Sequence, residues 1–323
     1  MPDGAKAAAP VTTRLSVSDT EAEADGASVS ASFSADGRFV AFRSVATNLV
    51  SPATVAATQH VYVRDRVLGT TELVSVDSNE VQGLGNSDNP RISAGGRFVV
   101  FESAATNLNA GVADGNGATT DVFLRDRTNG TTELISVVAG GAANSGSTFA
   151  SVSEDGNLVA FSSTASNLPT SGTDTNVNIS DVFVRNRSAG TTTIVSVDSS
   201  GAQSAASPSG VKGSAISADG NFVAFESSGV LVSGDGNGAV DVFVRDRVNN
   251  RTERVSTTAA GAEAPAGAAT TSRVDVSADG RFVVFESGDT TLVTPDAGGF
   301  VDVFRKDRTT GAIIRASQKS DGT

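Results

Sequence analysis

Short runs of alternating apolar and polar residues follow one another along the chain, separated by turn residues such as Asp-Gly. Between residues 213 and 257 there are four such runs: GSAIS, NFVAFES, DVFVRDR and TERVST. Their length and their period of two predict strands. The second run places Phe222 and Ala224 on one face and Val223 and Phe225 on the other, which predicts a strand packed between two neighbouring sheets.

The third and fourth runs have a more polar pattern. DVFVRDR begins apolar and ends charged, which predicts a strand that emerges from the core into solvent. The fourth run alternates Thr252, Arg254 and Ser256 with the residues of the opposite face. We therefore expect it to be an outer strand that buries little.

The same four-run unit recurs five times, at a spacing of about sixty residues. Copies of the second-run phrase lie at 33–46, 92–105, 152–165, 216–229 and 276–289, and copies of the third and fourth runs lie at 60–76, 121–137, 181–197, 241–257 and 302–317. A four-stranded sheet cannot bury both of its faces alone, so repeated sheets must stack on one another around a ring. The pattern predicts an all-β, five-bladed β-propeller of four-stranded antiparallel blades.

The propeller is predicted to be a single domain over residues 12–317, with a flexible tail at 1–11 and a short tail at 318–323. The phrase SADGRFVAF resembles the repeat of WD40-like, TolB-type propellers, and the phrase DVFVRDR followed by TGTT-like residues resembles a bacterial subgroup of that family. The resemblance implies binding or scaffolding more than catalysis. TolB proteins usually have six blades and an additional amino-terminal domain, and the sequence shows neither, so the role of TolB is not carried over.

The fourth-strand phrase occurs six times, once more than the blades require. The extra copy is TTRLSVS at residues 12–18, and the last copy, GAIIRAS at 311–317, is degenerate. One of the two is surplus in a five-bladed ring. An unpaired strand is a template for pairing with another chain, so the count predicts head-to-tail self-association that can extend into a filament. The alternative is that the spare copy adds a fifth strand to a blade or is disordered.

Composition narrows the classes of partner and the location. The formal net charge is −12, and phosphate contacts need clustered Lys and Arg, so nucleic acid is not an expected partner. The chain has no cysteine, no apolar signal core at its start and no run long enough to span a membrane. We expect an extracellular or cell-surface protein, or a periplasmic one, whose signal is not part of this chain.

Catalytic residues are scarce in the sequence. His60 is the single histidine, and it stands where the other units have Asp121, Asp181, Asp241 and Asp302. No Gly-x-Ser-x-Gly motif is present, and one histidine offers one base for a catalytic triad and too few ligands for a typical zinc site. These observations predict a protein that is not an enzyme.

The loop before the third strand of each unit carries the strongest candidate chemistry. In three units it alternates Asp and Asn, as Ca²⁺ loops do, although the closing Glu is missing. The candidate ligands are Asp174, Asn176, Asn178 and Asp181 in unit three, Asp114, Asn116 and Asp121 in unit two, and Asp235, Asn237 and Asp241 in unit four. The alternative is that these residues only form turns, which also favour Asp and Asn.

Two further sets of charged residues receive structural interpretations. The aspartates of the Ser-x-Asp-Gly turns are predicted to accept hydrogen bonds from backbone N–H groups; they are Asp36, Asp155, Asp219 and Asp279. The Arg-Asp-Arg triplets recur in nearly every unit, which favours ion pairs between blades over a unique ligand site.

The sequence therefore favours a non-enzymatic extracellular structural or interaction protein that self-associates through strand donation, with Ca²⁺ as a possible stiffening ion in its loops. An alternative is a monomeric secreted propeller that binds a protein, peptide or glycan at its central face. A metal-dependent hydrolase is the third alternative. None of them involves insertion into a membrane.

Overall fold

The protein consists of five four-stranded antiparallel sheets, and no helix occurs in the residues that the structure describes. The structure is a computed structural model that describes residues 12–108, 116–138, 141–170, 174–176, 179–204, 212–265, 274–294 and 300–317. Each sheet contains four strands that are consecutive in the chain, in sequence order. The prediction of an all-β, five-bladed propeller is confirmed.

The bounds of the strands follow the repeat. Blade one contains β1 (Ser28–Phe33), β2 (Phe39–Ser44), β3 (His60–Asp65) and β4 (Thr70–Leu73); blade two contains β5 (Ser87–Ile92), β6 (Phe98–Ser103), β7 (Asp121–Asp126) and β8 (Thr131–Leu134). A small hairpin of β9 (Val137–Val138) and β10 (Gly141–Ala142) leads to blade three, with β11 (Ser147–Val152), β12 (Leu158–Ser163), β13 (Asp181–Asn186) and β14 (Thr191–Ile194). Blade four contains β15 (Lys212–Ile216), β16 (Phe222–Ser227), β17 (Asp241–Asp246) and β18 (Arg251–Arg254), and blade five contains β19 (Val274–Val276), β20 (Phe282–Ser287), β21 (Asp302–Asp307) and β22 (Ile313–Arg315).

Alternation along the second strand distributes apolar groups to both neighbouring blades. Phe222 and Ala224 belong to the cluster shared with blade five, whereas Val223 and Phe225 belong to the cluster shared with blade three. Phe225 also stacks on Phe243 of β17, with ring centroids 5.9 Å apart, and each blade has one such pair. The prediction that this strand is packed between two sheets is confirmed.

The prediction that the fourth run buries little is wrong. Val255 and Ser256 are buried, and Thr252 is 4% exposed. The reason is that the connection leaving the previous blade lies across the outer strand, where Thr252 Oγ1 donates a hydrogen bond of 2.5 Å to the carbonyl of Val197. The connection thereby covers Thr252, while the other residues of β18 remain partly or fully exposed.

Four of the five junctions between neighbouring blades share one packing device. The glycine of the Asp-Gly turn has a positive φ and lies directly against the first apolar residue of β2, β6, β12 or β16 in the preceding blade; the pairs are Gly96 on Phe39, Gly156 on Phe98, Gly220 on Leu158 and Gly280 on Phe222. A Cβ at any of these glycines would collide with the side chain beneath it. Only glycine satisfies both the backbone angle and the close approach.

The junction between blade five and blade one lacks this device, and we call it the open junction. Gly37 faces only the side chain of Arg66, and the ring of Phe282 is covered by Arg305 of its own blade, 4.9 Å from the ring centroid. Val284 is 37% exposed, whereas Ala224 at the same place in blade four is fully buried. The described residues thus form a five-bladed ring in which one junction is not packed like the others, which differs from the evenly closed ring expected from the repeat.

The surplus fourth-strand copy is found at the amino-terminal end of the described chain. β22 pairs with β21 in blade five, while residues 12–16 form no strand. Val17 makes only an isolated bridge to Glu23, and Thr71 Oγ1 of blade one donates a hydrogen bond of 2.6 Å to its carbonyl. Residues 17–23 therefore lie on blade one as the equivalent connections lie on the blades that follow them.

Candidate functional site

The third strand of four blades begins with an aspartate that is tied to the end of the blade. Its carboxylate accepts a hydrogen bond from a serine hydroxyl just after the fourth strand, at 2.5 to 2.7 Å; the pairs are Asp121 with Ser136, Asp181 with Ser196, Asp241 with Ser256 and Asp302 with Ser317. The sequence places this aspartate immediately after the Asp/Asn loop. Each loop therefore ends on a carboxylate at a fixed position.

In blade three the loop residues and this aspartate form one cluster. Asp174 and Asp181 are both buried, and Gln203 Nε2 lies between them, donating hydrogen bonds to Asp181 Oδ2 at 2.9 Å and to Asp174 Oδ1 at 3.2 Å. The amide oxygen of Asn176 also accepts from Gln203 Nε2, at 3.2 Å. Oxygens of two carboxylates and of the Asn176 amide thus converge on the Gln203 Nε2 group, and a hard cation that bound these oxygens would have to displace it. Asn178, the remaining candidate of this loop, lies outside the described residues.

The cluster in blade three changes the pKa of Asp181. Burial raises the pKa of Asp181 to about 6, and the neighbouring Asp174 carboxylate adds to the increase. The hydrogen bonds from Ser196 and Gln203 act in the opposite direction and do not offset the burial. A positive charge at this position would lower that pKa again.

Blade four contains the same cluster together with a positive charge. Carboxylate oxygens of Asp235, Asp241 and Glu263 all lie within 4.8 Å of one another. Arg254 Nη1 lies 3.4 Å from Asp235, 3.5 Å from Asp241 and 2.5 Å from Glu263. A metal ion would have to displace this guanidinium. Asn237, predicted as a ligand, instead donates a hydrogen bond of 3.2 Å from Nδ2 to Asp241.

The protonation equilibria in blade four follow from this arrangement. Burial raises the pKa of Asp235 and of Asp241, and for both the guanidinium of Arg254 opposes the increase. The pKa of Glu263 is lowered, first by the backbone N–H of Gly236 and then by Arg254. An arginine held by three carboxylates is an internal counter-ion for the loop.

The remaining loops bring fewer oxygen ligands together. In blade two Asn116 Nδ2 lies 3.4 Å from Asp121 Oδ1, and Asp114 lies outside the described residues. In blade five Arg315 Nη1 lies 3.6 Å from Asp302. The structure therefore assembles the predicted ligands most fully in blades three and four.

His60 is fully buried at the same position of blade one. Its Nδ1 lies 3.1 Å from Ser75 Oγ, and among the described residues its Nε2 has no hydrogen-bond partner. Burial lowers its pKa. The imidazole replaces the aspartate of the other blades and has no access to a substrate.

The interpretation of the turn aspartates is confirmed, and that of the triplets as ion pairs between blades is confirmed for their last arginine in three units. The turn aspartates accept hydrogen bonds from the backbone N–H two residues later, at 2.9 to 3.0 Å; they are Asp36, Asp155, Asp219 and Asp279. The last arginine of the triplet joins neighbouring blades through the pairs Arg127–Glu72, Arg187–Glu133 and Arg308–Glu253. The middle aspartate instead pairs within its own blade, as Asp65 does with Arg38 at 2.7 Å.

A channel runs between the innermost strands of all five blades. Its larger cavity, about 440 Å³, is lined by backbone and side chains that include Ser30, Arg91, Ser214 and Asp275. The cavity also extends along Val284 and Val303 of blade five, toward the open junction. It is thus a mixed polar and apolar space that reaches from the axis of the ring into the gap beside blade five.

Sequence reasoning missed three residues of the loop clusters. Gln203 and Glu263 come from the connection after the fourth strand, where isolated bridges Val197–Gln203 and Thr257–Glu263 hold a tight turn. Arg254 was assigned to an outer face. The recurrence of Gln or Glu six residues after the fourth-strand phrase, as in Gln82, was a signal that could have found the first two.

Comparisons with known proteins agree with this architecture. A protein from Agrobacterium tumefaciens designated TolB superposes with a TM-score of 0.53 at 17% sequence identity, over 90% of this chain and 80% of that chain. A puromycin-hydrolyzing peptidase from Mycobacterium tuberculosis superposes with a TM-score of 0.51 at 15% identity, over 90% of this chain but only 38% of the peptidase. The chain therefore has a β-propeller fold similar to the folds of these proteins.

The same comparisons delimit what the likeness means. No protein-family model matches the sequence, and no curated protein matches it. At these identities the solved structures establish the fold alone, and propellers of this type occur both in TolB and as parts of peptidases. In the described part of the chain no helix is long and apolar enough to cross a membrane.

Proposed function

We propose that the protein is a non-catalytic, extracytoplasmic interaction protein whose propeller binds other proteins and associates with copies of itself. The observation that carries the proposal is the surplus fourth-strand copy: residues 12–16 have the fourth-strand sequence, and β22 already occupies the fourth position of blade five. Among the described residues no strand pairs with residues 12–16, and a segment of strand sequence that no strand of its own chain pairs with supports association with another chain.

The absence of catalysis is part of the proposal. The single imidazole is buried behind Ser75 and Tyr62, and the carboxylate clusters of blades three and four are occupied by hydrogen bonds and by Arg254. These arrangements support structural roles for the titratable groups described here. The propellers of peptidases make hydrolysis the contrasting possibility, and turnover of peptide substrates by the purified chain would contradict a purely binding role.

The self-association is tested by light scattering of the purified chain over a wide range of concentration. We expect the weight-average mass to rise with concentration in the full chain and to remain that of a monomer after deletion of residues 1–18. A monomeric mass at every concentration of the full chain would overturn the proposal. The location is tested by fractionation of the native host, with recovery in the cytosol as the contrary result.

We also propose that Ca²⁺ binds the blade-three cluster and stiffens this loop. Support comes from the two buried carboxylates and the Asn176 amide oxygen that converge on Gln203 Nε2. Arg254 puts a positive charge at the corresponding place in blade four. Ile194 takes the place of Arg254 in blade three, opposite Phe183 as Arg254 is opposite Phe243. The blade-three cluster therefore has the carboxylates without the arginine.

A second candidate function is ligand binding by a monomer at the channel. The cavity of about 440 Å³ supports it, since its size suits a short peptide or a sugar and its wall presents Arg91, Asp275 and Glu286. The substitution Arg91→Ala would abolish ligand capture at the channel and leave self-association unchanged. Loss of both properties would point to one shared surface.

A further inference from the structure

The fourth-strand position of blade five has two segments of the chain that fit it. β22 occupies it, with Phe304 opposite Arg315 and Arg305 opposite Ile314. Residues 12–17 have the same register by sequence, because the bridge Val17–Glu23 is the counterpart of Val76–Gln82. Arg14 then corresponds to Arg315, and Ser16 to Ser317. The two segments are alternatives for one place beside β21.

The first residue of the fourth-strand segment favours residues 12–17 over β22 as the partner of β21. In blades one, two and four it is a threonine whose Oγ1 donates to the carbonyl of the preceding connection, at 2.5 to 2.6 Å; these bonds are Thr71 to Val17, Thr132 to Val76 and Thr252 to Val197. β22 has Ile313 there, and Lys306 Nζ instead reaches the Thr257 carbonyl at 3.0 Å. Thr12 would restore the threonine hydrogen bond that the other blades share.

The fourth residue of the fourth-strand segment also favours residues 12–17 over β22. The other blades have a buried branched aliphatic residue there, namely Val74, Ile135, Val195 and Val255. Residues 12–17 supply Leu15, which is half-buried against blade one, whereas the segment that follows β22 supplies Ala316, which is exposed. Ser16 can replace the hydrogen bond of Ser317 to Asp302, and Arg14 can replace the pairing of Arg315. The amino-terminal segment therefore matches the repeat at every anchoring position, and β22 matches it only in part.

The open junction separates this segment from the blade five of its own chain. The cavity beside Val284 and Val303 also touches Ser30 and Ala31 of β1, so a space lies between the facing blades. Closing it would require rotation at the four packed junctions, which are held by the glycine contacts and by pairs such as Arg308–Glu253. The outer strand lies on the circumference, so a second molecule can reach it without changing any junction.

We propose that residues Thr12–Val17 of one copy replace β22 beside β21 of a second copy, joining the molecules head to tail at their rims. The proposal rests on the self-association proposed above and names the contact that produces it. The donated strand forms the same antiparallel ladder that β4, β8, β14 and β18 form in their blades. Each acceptor also carries its own residues 12–17, so the contact repeats along a chain of molecules.

The test uses cysteines, because the chain has none of its own. In the proposed register Thr13 lies opposite Arg305, as Glu72 lies opposite Val63 in blade one. A mixture of the single variants Thr13→Cys and Arg305→Cys should give a disulfide-linked heterodimer on oxidation, since neither variant alone contains the pair. The matched control replaces Thr13→Cys by Thr20→Cys, an exposed turn residue just after the segment, and should give at least severalfold less dimer.

The other outcomes each decide the question. A double variant carrying both Thr13→Cys and Arg305→Cys that forms only an intramolecular disulfide would overturn the proposal in favour of ring closure within one chain. Persistent association in light scattering without the heterodimer would overturn this contact but leave the proposed self-association intact. A double variant with Arg305→Cys and Ile314→Cys should form a disulfide within one chain when β22 lies beside β21. This disulfide also verifies that a cysteine at position 305 can react. The substitution Ala316→Leu gives β22 the missing aliphatic group and should reduce the heterodimer severalfold in a folded protein.

Discussion

Blades three and four have the same strand register beside their loop clusters but balance the buried charge differently. In blade four Arg254 lies among three carboxylates. In blade three the same register position is Ile194, and the side chain between the two aspartates is the neutral Gln203. Burial raises the pKa of Asp181 to about 6 in this uncompensated cluster. The difference shows that a single side chain in a repeat decides whether a buried acidic site carries its own counter-ion.

Removing the counter-ion of blade four should have the largest effect. The substitution Arg254→Leu leaves the buried carboxylates of Asp235 and Asp241 without a cation, and we expect a loss of about 3–5 kcal/mol in the free energy of unfolding at pH 7. The partly exposed Glu263 loses the same partner. Urea denaturation measures the loss in free energy. The control Arg251→Leu on the same strand removes an exposed arginine and should cost less than about 0.5 kcal/mol. Equal losses in the two variants would contradict the role of Arg254.

The pH dependence of blade three should be the next largest effect. The pKa of Asp181 rises from 3.8 in the unfolded chain to about 6 in the folded protein, so the folded state holds the proton more tightly. Its contribution to stability is present below about pH 4 and is lost as pH rises to about 6, by roughly 3 kcal/mol. The variant Asp181→Asn should therefore gain stability over wild type across this window, in urea denaturation at several pH values. Parallel pH profiles would contradict the assignment.

Much of this fold could be predicted from the sequence, because the repeat exposes the same physical constraints five times. Alternating apolar residues such as Phe222 and Val223 required two neighbouring sheets, and Asp-Gly turns fixed the hairpins. The open junction could not be predicted. It depends on how small rotations between successive blades add up around the ring. It also depends on single replacements such as Arg305, whose effect is recognised only by comparison with the packed junctions.

Ca²⁺ should have a smaller effect on stability, through the loop cluster of blade three and not that of blade four. We expect millimolar Ca²⁺ to stabilise the wild-type protein by about 2 kcal/mol when the ion is in large excess over its dissociation constant, which raises the melting temperature by several degrees. The variant Ile194→Arg places the arginine of blade four in blade three and should abolish the increase. Calorimetric titration without Ca²⁺ heat in the wild type would remove the proposed site.

The candidate site was predictable only in part, for a reason that the two blades illustrate. Asp174, Asn176 and Asp181 are close in sequence, and their alternation was visible. Gln203 and Glu263 come from the far side of the blade, brought in by the turn after the fourth strand. Contacts between segments that are distant in sequence leave a signal only when the repeats are aligned with one another.

The smallest of these effects on stability should come from blade one, where the neutral His60 takes the place of the aspartate. Burial lowers the pKa of His60 below its ordinary value of 6.5, so the unfolded chain binds the proton more readily. Stability should be constant above about pH 7 and should fall as the pH decreases below the ordinary pKa of histidine. Thermal melting of His60→Asn over this range should lack that decrease, and an unchanged acid sensitivity would contradict it.

Because of the open junction between blades five and one, the ring should unfold like a linear array of repeats. The two end blades each have one packed neighbour, whereas blade three has two and shares apolar clusters with both. In such an array the ends open before the middle. Amide hydrogen exchange should therefore be slowest in β12 and β13 and fastest in β2 and β20, so that protection follows the order of the repeats along the polypeptide.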